Sequence, residues 1–135
     1  MFKLIKIEYG HGNVPEPILV PAAAATYKEG DALVVSSNKV AKASGDVSAA
    51  YICYAGKTVT SADSDLLVYK VTPAMLFEAP LSAAVGSTVK FGAKLTIDST
   101  GEKVTATAVT TNFGAYVESV NGASAAGDKV IVRLA

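Results

Sequence analysis

Apolar residues in this sequence come in short β-branched bursts and not at the three-to-four-residue spacing of an amphipathic helix, which points to β-sheet architecture. The bursts are Ala32–Ser36, Ala50–Tyr54, Leu66–Val71, Thr88–Phe91, Lys94–Asp98, Lys103–Thr107, Ala115–Ser119 and Lys129–Leu134. Clusters of Gly, Ser, Asn and Asp separate them at intervals typical of a sandwich or barrel. Alternation is cleanest in Lys94-Leu95-Thr96-Ile97-Asp98, where Leu95 and Ile97 face one way and the polar residues the other. The turn Ser99-Thr100-Gly101-Glu102 then leads into Lys103–Thr107 as a hairpin. The expected fold is all-β, a compact β-sandwich or barrel.

An internal repeat sharpens that expectation. Gly30-Asp31-Ala32-Leu33-Val34-Val35 with Lys39-Val40-Ala41 matches Gly92-Ala93-Lys94-Leu95-Thr96-Ile97 with Lys103-Val104-Thr105. Each unit continues into an aromatic strand, Ala50-Tyr51-Ile52-Cys53 and Ala115-Tyr116-Val117-Glu118. Each closes on an acidic turn and a strong strand, Asp65-Leu66-Leu67-Val68-Tyr69 and Asp128-Lys129-Val130-Ile131-Val132. The body from Tyr27 to Ala135 therefore reads as two similar hairpin-based halves, about 27–71 and 88–135. In this reading Leu33 and Val35 occupy the core positions that Leu95 and Ile97 occupy in the second half. The linker 72–87 holds Thr72 before Pro73, an N-cap and first-turn signature that predicts one helical turn, which Pro80 keeps short.

Residues 1–26 differ in character. Gly10, Gly12, Asn13, Pro15, Pro17 and Pro21 make a poor ladder element, so the segment is expected to run as an extended N-terminal arm outside the packed sheets. Its apolar residues Phe2, Leu4, Ile5, Ile7, Ile18, Leu19 and Val20 exceed what a free tail should expose, which marks them as candidate partner-binding residues. An ordinary first strand of the same domain is the competing reading.

Twelve basic and twelve acidic side chains cancel, so no net field draws the chain toward nucleic acid or an anionic membrane. Arg133 is the sole arginine, and bidentate phosphate or base recognition favours arginine. No signal peptide is visible, since Lys3, Lys6 and Glu8 interrupt the first apolar stretch, and the alanine-rich run from Pro21 to Ala25 is far too short to span a bilayer. The expected setting is a cytoplasm.

Catalytic constellations are missing from the sequence. His11 is the sole histidine, and Gly10-His11-Gly12 lacks the third glycine and helix of a dinucleotide loop. Cys53 is the sole cysteine, which rules out an intrachain disulfide and reads as a small buried hydrophobe. Asp63 and Asp65 bracket Ser64 without the glycine and terminal glutamate of a calcium loop, while Asp31, Asp46, Asp98 and Asp128 sit in turn contexts. Six tyrosines (Tyr9, Tyr27, Tyr51, Tyr54, Tyr69 and Tyr116) and no tryptophan favour strand packing over a sugar platform. No enzyme activity, metal or cofactor is expected.

Three segments of the body resemble one family: Tyr27-Lys28-Glu29-Gly30-Asp31-Ala32-Leu33-Val34, Lys39-Val40-Ala41-Lys42-Ala43, and Val68-Tyr69-Lys70-Val71-Thr72 with Phe77-Glu78-Ala79-Pro80. Gly92-Ala93-Lys94-Leu95, Gly101–Thr107 and the terminal Ala126–Leu134 extend the likeness. The chain resembles small decoration, or head-stabilisation, proteins of tailed phages. The resemblance implies a non-catalytic virion protein on the capsid exterior, with the major capsid protein as partner and often a homotrimer. It carries over no catalytic residues, metal or cofactor. A carbohydrate-binding or adhesin module and a tail or baseplate structural protein are the alternatives.

Overall fold

The computed structural model describes residues 1–8, 15–45, 47–61 and 64–134. Its strands are β1 (Lys3–Ile7), β2 (Ile18–Ala22), β3 (Ala25–Tyr27), β4 (Ala32–Ser36), β5 (Lys39–Lys42) and β6 (Tyr51–Cys53). They continue with β7 (Lys57–Val59), β8 (Ser64–Lys70), β9 (Met75–Pro80), β10 (Lys94–Leu95), β11 (Ala115–Ser119) and β12 (Lys129–Arg133). The fold is all-β, and none of the described residues is helical. Strands β2-β5-β4-β6-β8 close a barrel, β1-β9-β12-β11-β10 form an antiparallel sheet, and β3 and β7 make a short ribbon.

Period-two patterning divides the apolar residues between two cores. In β8, Leu66 and Val68 point into the barrel with Leu33, Val40 and Cys53. Tyr69 points outward, and with Ile52 opposite it joins the larger core between barrel and sheet. That core also takes Phe77, Leu95, Ile97, Val117 and Val132. Each large side chain buried this way contributes about 1.5–3 kcal/mol relative to exposure.

The two halves pair their strands in the same order, β4-β6-β8 in the barrel and β10-β11-β12 in the sheet. Register agrees across the last pair: Tyr51 opposes Lys70 as Tyr116 opposes Arg133, and Ile52 opposes Tyr69 as Val117 opposes Val132. Gly30 and Gly92 begin the two units at φ of 84° and 83°, a left-handed conformation that favours glycine. The units diverge at their outer ends. Val35 is 59% exposed whereas Ile97 is buried, which corrects the expected equivalence of the two. The reason is the hairpin between β4 and β5: its two-residue loop, Ser37-Asn38, has positive φ at both positions and carries the end of β4 beyond the core.

Other expectations change as well. Thr72–Pro80 forms a turn followed by a strand instead of a helical turn, because Met75, Phe77 and Ala79 alternate with less buried neighbours and fill the space between β1 and β12. Thr88–Phe91 makes consecutive turns rather than a strand, with Val89 N–H donating to Gly86 and Ala93 N–H to Lys90. Lys103–Thr107 pairs with the residues before the turn without building a full strand. Ile97 opposes Val104, and Asp98 Oδ1 closes the turn by accepting the Thr100 and Lys103 amides.

The largest correction concerns residues 1–26. The segment expected to lie outside the packed sheets supplies β1 at one end of the sheet and β2 in the barrel wall. Its apolar excess is met largely within the chain: Phe2 is 1% exposed, Leu4 and Ile7 pack on the large core, and Val20 and Ala22 on the barrel core. Pro21 is tolerated in β2 because that strand pairs with β8 over five residues but with β5 at Ala22 alone.

Candidate partner-binding surface

On the outer face of the barrel, Leu19 of β2 stands opposite Leu67 of β8, and the amide of Tyr54 donates to the Leu67 carbonyl. Leu66 and Val68 face inward, so Leu67 and its cross-strand neighbours face outward as one row over three strands. Leu19 is 65% exposed and Tyr54 45% exposed. The row continues the stripe of Ile52 and Tyr69, which the sheet covers.

Where that cover ends, an apolar groove of about 450 Å³ runs between β1 and the barrel. Leu4, Ile5 and Ile7 line one side, and Cys53, Tyr54 and Tyr69 the other. The register of β1 against β9 shifts between Leu4 and Lys6, leaving Ile5 as the extra residue of a bulge and 43% exposed. Lys3, Lys6 and Glu29 supply the charge along the groove. Burial pushes the Cys53 thiol up to about 11, with the Asp31 carboxylate adding to the shift, and burial also raises Tyr69. Both groups are therefore neutral near neutral pH.

Of the candidate residues from the sequence, the structure brings Ile5, Leu4 and Ile7 to the groove and Leu19 to the outer row. Ile18 is also exposed, Phe2 is buried, and Val20 packs on the barrel core. The sequence carries no partner-binding signal for Tyr54 and Leu67, since an apolar residue within a strand reads as core until the sheet's two faces are known. Phe91, 72% exposed on the turn before β10, lies in a burst whose composition reads as a strand.

Tyr9, His11, Asp46 and Asp63 lie outside the described residues. Asp65 sits within β8 opposite Pro21. Asp128 accepts the backbone amides of Ser124 and Ala125, and those bonds hold its carboxyl below the usual range. No cluster of three or more His, Cys, Asp or Glu side chains that could hold a metal ion occurs among the described residues, and no helix there could cross a membrane.

No family model matches the sequence, and no curated protein matches it. Among solved structures, the fold resembles the N base of head fiber gp8.5 of bacteriophage phi29. The likeness has a TM-score of 0.58 at 13% identity and covers 89% of this chain and 95% of that one. At this identity the likeness is one of fold.

Proposed function

We propose that this protein is a non-catalytic structural component of a phage head that binds the outer surface of the assembled capsid and bridges neighbouring capsid subunits. The observation that carries the reading is the fold likeness to a phage head fiber base over nearly the whole chain. The apolar groove and the outer row supply surface suited to such attachment. A subunit touching two or three shell proteins gains effective concentration for each further contact and needs no chemistry to clamp them. Association as a homotrimer on the shell belongs to the same proposal, with Leu19, Leu67 and Tyr54 as contact surface.

Purified protein mixed with expanded tailed-phage capsids should add density to the shell exterior in electron microscopy. Density of isolated copies would argue against the trimer. Absence of bound protein would argue against shell attachment.

A further inference from the structure

We infer that the groove along β1 receives an extended segment of the shell protein that alternates apolar and acidic residues; this rests on the reading of the chain as a shell-binding protein. The strand β1 ends its sheet, pairing there with β9, and its other side borders the groove. An end strand offers backbone groups to an incoming extended chain, while pockets beside it select alternate side chains. Here Ile5, turned out by the bulge, faces a wall that includes Tyr54 and Tyr69, so the incoming apolar side chains meet apolar surface.

Charge selects the occupant. Lys3 and Lys6 are exposed along the groove, and among the described residues neither forms an ion pair. The opposite end of the sheet is also basic: Lys90 and Lys94 flank the start of β10, with Lys94 Nζ 5.1 Å from the Phe113 ring centroid. Joining the two ends of two copies would set lysines against lysines, a device by which sheets avoid pairing with themselves. An acidic segment meets the reverse situation, since its carboxylates neutralise Lys3 and Lys6. Glu29, also on the groove wall, is the one acidic lining residue among the described residues and disfavours a carboxylate at its own position.

The test titrates isotope-labelled full-length protein with two short synthetic peptides, one alternating valine with glutamate and the other valine with lysine. The glutamate peptide should shift the amides of Lys3–Ile7 and Tyr54 and bind about tenfold more tightly, a margin equal to about 1.4 kcal/mol. That margin should shrink with added salt. The double charge reversal Lys3→Glu with Lys6→Glu, at exposed positions that leave both cores intact, should invert the preference. Equal binding of the two peptides, or shifts elsewhere than β1, overturns the charge-selected groove. In a capsid-binding assay, undiminished binding by the double variant and by Ile5→Glu removes the groove from attachment. Peptide binding by a wild-type protein that ignores capsids overturns the shell reading and keeps the groove's selectivity.

Discussion

Arg133 donates from Nε to Glu118 Oε1 at 2.7 Å, joining neighbouring strands β12 and β11. The same guanidinium donates to the Pro73 carbonyl at 2.6 Å and to Glu8 beyond the end of β1. One partly buried fork thus ties β12 to its neighbour β11, to the Pro73 turn and to the residue that follows β1. Charge-assisted bonds of this kind are worth about 1.5–3 kcal/mol. Arg133→Ala should lower unfolding stability in urea by that order, and Arg133→Lys should recover part of it by keeping charge without the planar fork. An unchanged urea midpoint for Arg133→Ala would show that the fork does not support the fold.

Equivalent positions in the two halves should respond differently to truncation. Ile97, the counterpart of Val35, is buried, so Ile97→Ala should cost about 2–5 kcal/mol. Val35→Ala, at an exposed site on a hairpin end, should cost no more than about 0.5 kcal/mol. Denaturant melts of the two variants check both values, and similar losses would contradict the divergence of the halves.

Removing Met1 to Ala25 deletes β1 and a wall of the barrel. The truncated protein should fail to fold or melt far below the intact chain. Phe2→Ala isolates the packing contribution and should cost about 3–5 kcal/mol. A truncated protein with its melting temperature intact would restore the expectation of a separable arm.

Burial of Cys53 makes a pH prediction. The neutral thiol is favoured in the folded state, so its contribution is fully present below the unfolded value near 9 and is lost as pH rises through about 11. Stability should therefore fall across that interval, and Cys53→Ala should remove part of the decline; Tyr69, also raised, continues it at higher pH. Near pH 8 the native thiol should resist a disulfide reagent that labels it in denaturant. Rapid labelling of the native protein would show an accessible thiolate.

The local signals that were legible are those in which neighbouring residues decide the outcome. The bursts Ala32–Ser36 and Ala115–Ser119 coincide with β4 and β11, because β-branched side chains bounded by turn residues favour extended backbone almost anywhere in a fold. The alternation of Met75, Phe77 and Ala79 was equally present, but the proline signals around it favoured a turn of helix.

By itself the sequence determined that the chain is all-β and fixed the period-two division of its apolar residues. It also placed glycine at the left-handed starts of both units. Only the tertiary structure decided which face of each strand meets a core. Leu66 and Leu67 are adjacent leucines in one strand, yet one fills the barrel and the other faces outward opposite Leu19. Similarly, the apolar residues near the N-terminus signalled a need for burial without naming the partner. Their pairing with β8 and β9 spans dozens of residues, and its free energy comes from cores that exist only once distant strands have met.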